Sequence, residues 1–365
     1  MKLKNLLLFG LIFLFIASCG RKEETIKIGA ILPLTGTGAD FGKCARNAYE
    51  YAIKKLNDTG GINGKKIDFL VEDSQGDARV GVQAFNKLVN YDHAQIIIST
   101  ISGVTLALIP LVNKYEILLF TDAAHPKIVE NTKNVFRHSN IATDEAKVAI
   151  EKLFSIPQKK MKISMLAVND DYGISILNSV KNELPDTGKL NFLSYQLYDK
   201  NQTDFRTIIS SLLRDKPTSV IIAGYGKPAG LLIKTLREQG YNGIILTTLP
   251  FIATPSGISV AANSLLNTYY ITFSYEDDNE PNNFRLEYEK QFGEKPLANA
   301  VLSYSILQII ESGLRKYGTD ILLLKNYFRN LKNFNALSGK INSDSLGNMP
   351  AQLTVKQFDE NLINK

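Results

Sequence analysis

The chain has 365 residues, 42 Lys and Arg against 36 Asp and Glu for a net charge of +6, and 44% hydrophobic residues. That length suits two domains, and so small a charge, scattered along the chain, excludes binding to nucleic acid through a basic face. Two cysteines, Cys19 and Cys44, cannot build a disulfide framework, so stability has to come from apolar cores.

At the start, Lys2 and Lys4 precede an apolar run over 6–16 and then Ile16-Ala17-Ser18-Cys19. A charged start, a short greasy core and small residues describe a secretory signal, and the core is short for a membrane span. Ile-Ala-Ser-Cys resembles the lipobox of bacterial lipoproteins, which implies a signal peptide over 1–18, lipidation at Cys19 and a polar tether over 19–25. The mature net charge would then be +4. Cys44, among alanines on the first helix, reads as a small buried residue.

Residues 26–77 form the most informative stretch. Ile26, Ile28, Ala30 and Leu32 alternate and stop at Pro33, as a strand does on entering a turn. The loop 35–40 is rich in Gly and hydroxyl residues, able to bend tightly and leave N–H groups exposed. Over 41–56, Ala45, Ala48, Ala52 and Leu56 recur at helical spacing with Tyr49 and Ile53 beside them. Gly60 and Gly61 end that helix, and Ile67, Phe69 and Val71 mark a second strand. Strand, helix, strand is a right-handed parallel crossover.

PLTGTGADFG, a helix, and then NDTGGINGKKIDFLVEDSQGD resemble the opening of the branched-chain amino-acid binding proteins, type I periplasmic solute receptors of ABC transporters. The resemblance implies two doubly wound α/β lobes joined by a three-strand hinge. Lobe 1 would comprise 26–139 and 272–338, and lobe 2 would comprise 140–271 and 339–365. It also places Phe41, at the head of the first helix, among the ligand-contacting residues.

The alternation continues as this arrangement requires. Helices are expected over 78–89 and 104–114, and strands over 94–99 and 117–121, each strand leaving by a loop at one edge of the sheet, where ligands collect in open α/β folds. ISTISGV resembles the family segment that offers a Ser hydroxyl and backbone N–H groups to a ligand carboxylate, which falls on Ser102. TDAAHPK resembles the segment that places Ala123 and Ala124 on the ligand; His125 stands where the family has a Thr hydroxyl, and is either a contact or a surface residue. In the second lobe, strands are expected over 163–167, 192–198 and 219–223. DDYG implies that Tyr172 covers the ligand, and Tyr225 falls on another aromatic position.

ILTTLPF departs from the family. It resembles the strand whose exit carries an acid for the ligand's ammonium group, and here Thr248 and Leu249 occupy those ligand positions. An ammonium buried without a partner is costly. Either another acid serves, with Asp122 or Asp171 in reach, or the ligand has no ammonium. Residues 268–275 are expected as a returning strand, 284–292, 299–317 and 321–331 as helices completing lobe 1, and 337–341 as a third crossing.

No Gly-x-Ser-x-Gly elbow, metal-spaced His/Asp/Glu set or complete dinucleotide fingerprint is present, so the chain reads as no enzyme and needs no cofactor or metal. The resemblance implies a monomeric, exported, lipid-anchored receptor whose partners are a small amino acid or related carboxylate or amide and an ABC permease. The alternative is a sensory or envelope-interaction lipoprotein that works through a protein partner.

Overall fold

The computed structural model describes residues 24–158, 160–274 and 283–358, which form two α/β lobes; Cys19 lies outside them. The first lobe begins with β1 (Ile26–Leu32), α1 (Ala39–Asp58), β2 (Ile67–Asp73), α2 (Ala78–Asn86), β3 (Ile96–Ser99), α3 (Ser102–Tyr115), β4 (Leu118–Thr121) and β5 (Val135–Arg137). The strands are parallel in the order β2-β1-β3-β4-β5. Every residue of β3 (IIIS) and β4 (LLFT) is buried, because helices cover both faces of the sheet. Asp77 caps α2 by accepting from the N–H groups of Arg79 and Val80.

The second lobe contains α4 (Ala142–Ser155), β6 (Met161–Val168), α5 (Asp171–Glu183), β7 (Leu190–Tyr198), α6 (Arg206–Leu213), β8 (Ser219–Ala223), α7 (Gly226–Glu238), β9 (Ile244–Thr247), α8 (Leu249–Ile252), α9 (Pro255–Ala261) and β10 (Thr268–Phe273). The chain then returns to the first lobe with α10 (Phe284–Phe292), α11 (Ala298–Tyr317) and α12 (Ile321–Arg329). Helix α11 packs on α1, whose Ala45, Ala48 and Ala52 let it approach closely, and is apolar almost all round as a buried helix must be. Cys44 belongs to this interface, 4% exposed, its thiol pushed up to about 11 by burial.

After a short hairpin, β11 (Phe334–Ala336) with β12 (Gly339–Ile341), the last strand β13 (Leu353–Gln357) pairs antiparallel with β10. The second sheet therefore runs β13-β10-β9-β8-β6-β7.

Two expected boundaries move. Residues 337–341 are not a crossing: Leu337 and Ser338 turn the chain back, Gly339, at φ 106°, pairs with Ala336, and Ile341 and Met349 pack in the first-lobe core, so the third passage follows Met349. Thr272 and Phe273, assigned by sequence to lobe 1, pair with Thr354 and Leu353 in the second sheet. Tyr275, the expected end of that strand, lies outside the described residues.

The first and third passages are tied together. The Arg137 N–H donates to Gly347 O and the Met349 N–H to Arg137 O. A carbonyl can only accept, so His138 Nδ1–H donates to Met349 O at 2.7 Å while Nε2, 2.8 Å from Ser338 Oγ, accepts. Burial pushes that imidazole down to about 4, and it stays neutral.

Candidate functional site

In each sheet, one pair of neighbouring parallel strands sends its connections to opposite faces: β1 and β3 in the first lobe, β6 and β8 in the second. Ligands bind at such switch points, outside the carboxyl ends of the strands. Here the two switch points face each other across a cavity of about 260 Å³. Gly38, Thr100 and Ile101 come to it from the first lobe, and Asp170, Tyr172 and Tyr225 from the second.

On the first-lobe wall, α3 starts at Ser102 with no side-chain cap, because its N-cap is Ile101. Its leading N–H groups, beside the buried Ser102, are left for an anion. Ile101 holds φ 68°, a left-handed conformation costing a β-branched residue about 1–3 kcal/mol. The loop after β4 brings in Asp122, Ala123 and Ala124. Arg137, fully buried, pins that loop by donating to Ala123 O at 3.1 Å and His125 O at 2.8 Å. Burial raises the Asp122 carboxyl to about 6 against a bond from Thr100 that favours the charged form.

The second-lobe wall is a linked set. Asp170 caps α5 through the Gly173 N–H and accepts from the Tyr225 hydroxyl at 2.6 Å. The Tyr172 and Tyr225 rings sit 6.5 Å apart, tilted by 53°. The Tyr172 hydroxyl donates to Glu145 Oε2 at 3.0 Å, and the Leu249 N–H donates to the same oxygen at 2.9 Å. Glu145 is 1% exposed and lines the cavity. Burial lifts its carboxyl to about 7, opposed by the Leu249 and Tyr172 bonds and assisted slightly by the charge of Asp144.

Residues 25–359 match the family model described as periplasmic binding protein. The chain belongs to the periplasmic binding protein family. It is 28% identical over 316 residues to Leu/Ile/Val-binding protein homolog 1 of Brucella suis biovar 1, covering 84% of this chain and 82% of that protein. It is 26% identical over 309 residues to the leucine-, isoleucine-, valine-, threonine- and alanine-binding protein of Pseudomonas aeruginosa, covering 83% and 81%. Among solved structures, a leucine binding protein from Thermotoga maritima superposes with a TM-score of 0.84 at 20% identity, over 92% of this chain and 96% of that one. A branched-chain amino acid substrate binding protein from Streptococcus pneumoniae, in complex with isoleucine, gives 0.84 at 19%, over 92% and 97%. The family is extracytoplasmic and non-enzymatic, and binds solutes. Among the described residues no helix is long and apolar enough to cross a membrane.

In this binding protein the lobes are drawn together by few polar contacts. The Thr37 hydroxyl donates to Lys200 O at 3.0 Å, Lys200 Nζ to Gly76 O at 3.2 Å, and the Ser256 N–H to Asp40 Oδ2 at 3.1 Å. Gly226, at φ 65°, lies so close to Thr37 that a Cβ would come within 2.7 Å of its carbonyl oxygen. Ala124, Ala298 and Leu302 of the first lobe join the apolar cluster of the second, closing the seam beside the cavity.

Of the residues singled out in the sequence, Phe41, Ser102, Ala123, Ala124, Tyr172, Tyr225 and Leu249 lie around this one cavity. His125 is not among its lining residues: its carbonyl is held by Arg137 and its ring accepts from the Lys127 N–H, capping a short 3-10 turn. Thr248 is buried and not among the lining residues; its hydroxyl donates to Ile222 O at 3.4 Å and lies within reach of the Tyr172 hydroxyl. Glu145, Asp170, Lys200 and Asn299 were missed. Asp170 alone gave a local sign, an Asp three residues before the glycine whose N–H it caps.

Proposed function

We propose that the chain is a lipid-anchored, extracytoplasmic receptor of an ABC importer, acylated at Cys19 and monomeric, that binds an amino acid between lobe 1 and lobe 2 and presents the closed form to a permease. The observation that carries this is the pairing of opposite chemistries across one small cavity. Ser102 and the uncapped amino end of α3 suit a carboxylate on one wall, and Glu145 suits an ammonium on the other. Leu249 keeps a role there through its N–H, which orients the Glu145 carboxylate where the sequence alone shows only a missing acid. Phe41, Ala123, Ala124, Tyr172 and Tyr225 supply the apolar enclosure. Because the solute touches both lobes only when they meet, its binding energy favours closure.

The test is a thermal-unfolding screen of the full chain in detergent against amino acids and their deaminated analogues. A solute at a hundred times its dissociation constant adds about 2.7 kcal/mol of stability. Ser102→Ala should weaken any carboxylate-bearing hit, and Cys19→Ala should release the chain from the membrane fraction. If no solute stabilises the protein while an envelope protein co-purifies with it stoichiometrically, it acts through a protein partner instead.

A further inference from the structure

The loops that lead into the parallel strands of the first lobe lie at the edge of its sheet opposite the cleft. Glu24, the first described residue, belongs to this edge: it pairs with Lys65 at 2.6 Å, just ahead of β2. Beside it Lys27 Nζ donates to Asp92 O at 2.6 Å, in the loop before β3. The start of α12 comes to the same place, since Ile321 and Leu324 line one groove with Glu24, His93 and Gln95.

This end exposes large apolar side chains. Tyr91, next to Asp92, is 79% exposed and Leu322, on the outer face of α12, is 68% exposed; Leu323 and Tyr115 are exposed as well. Tyr115 belongs here because Leu118, three residues on, donates its N–H to Gln95 O as β4 begins. Lysines lie over rings at the same end, Lys114 Nζ 5.2 Å from the Tyr115 centroid and, where α11 stops, Lys316 Nζ 5.3 Å from that of Tyr317. Tyrosines, leucines and lysines whose charge rides on a long apolar stem are the side chains that settle between lipid headgroups and acyl chains.

Reach decides between this end and the opposite one, where the second lobe also exposes Phe154 and Leu266. Five residue steps separate Cys19 from Glu24, and a fully extended chain covers about 3.5 Å per residue. An acyl group on Cys19 therefore keeps Glu24 within about 18 Å of the membrane surface.

Building on the acylation at Cys19 put forward above, we propose that this end of the first lobe docks on the lipid bilayer. Tyr91, Leu322 and Leu323 sit at headgroup level, and Lys114 and Lys316 face the lipid phosphates. The cleft, at the other edge of the sheet, stays clear of the lipid for solute to enter.

The chain contains no tryptophan, so a single introduced one reports on one place. Leu322→Trp and, as the opposite end, Leu266→Trp are made in the full acylated chain and reconstituted in vesicles of phosphatidylethanolamine and phosphatidylglycerol, with and without brominated acyl chains. Brominated lipid should quench the emission of Leu322→Trp by at least a third and that of Leu266→Trp by less than a tenth. Adding Tyr91→Ser and Leu323→Ser to Leu322→Trp should at least halve its quenching. Equal quenching at the two positions, or none at either, in protein that floats with the vesicles overturns the docking and leaves an anchored receptor in place. Protein that does not float with the vesicles refutes the acylation and the docking with it, while solute binding is judged separately by the unfolding screen.

Discussion

The carboxyl of Glu145 offers the sharpest test of the site, because its burial makes stability and ligand binding depend on the same proton. Lifting it from 4.5 to about 7 means that folding disfavours the charged form by about 3 kcal/mol. The sign follows from linkage. Between pH 4.5 and 7 the folded state holds a proton that the unfolded state has lost, so this group's contribution falls as pH rises through that window. Glu145→Gln keeps an acceptor for the Leu249 N–H and the Tyr172 hydroxyl and removes the titration. Asp122, raised to about 6, and His138, lowered to about 4, titrate in overlapping windows with opposite signs, so the informative quantity is the difference between variant and wild type. In urea unfolding, the stability of Glu145→Gln relative to wild type should grow by about 3 kcal/mol from pH 4 to pH 8. An ammonium-bearing solute should expel the proton, so its binding heat near pH 6.5 should vary with the ionisation enthalpy of the buffer in wild type and not in the variant. A pH-independent stability difference, or buffer-independent heats in wild type, would refute the reasoning.

Three further outcomes are expected. His138 loses its stabilising contribution as pH falls from 6.5 toward 4, so the advantage of wild type over His138→Gln should shrink by about 3 kcal/mol between pH 7 and pH 4 in the same unfolding assay. Tyr225→Phe strips the half-buried Asp170 of a 2.6 Å donor and should cost about 1–3 kcal/mol; a loss below about 0.5 kcal/mol would mean the bond does not brace the wall. Gly226→Ala places a Cβ against Thr37 O across the seam, so it should weaken solute binding about tenfold and shift small-angle scattering toward an open form, while far-ultraviolet circular dichroism stays unchanged.

Most of the architecture was legible because buried parallel strands announce themselves as apolar runs: IIIS and LLFT could only be covered on both faces. The loops that follow them were legible too, and Ser102, Tyr172 and Tyr225 stand at strand exits where a cleft forms by topology alone. Glu145 was not. It follows Asp144 in the first turn of α4, where acids are expected simply to oppose the helix dipole, and only the tertiary fold carries it to the Leu249 N–H, 104 residues away in sequence. Asn299 was not legible either, since only the tertiary fold brings the first turn of α11 to Phe41 O, 258 residues away in sequence. His125 and Thr248 stand one layer behind the cavity lining: Arg137 holds the His125 carbonyl, and the Thr248 hydroxyl bonds Ile222 O and reaches the Tyr172 hydroxyl. The misplaced third passage came from reading 337–341 as a crossing, where Leu337 and Ser338 make a hairpin turn and Gly339–Ile341 pairs back with Phe334–Ala336.

The order in which the two sheets are completed bears on how such a chain is made. The first half lacks α10, α11 and α12 until residue 329 has been synthesised, and the second lacks its edge strand until residue 357. Neither interior can be sealed while the tail is still on the ribosome. A polypeptide built this way completes both of its cores only with roughly its last hundred residues, so its folding is governed by contacts between distant parts of the chain.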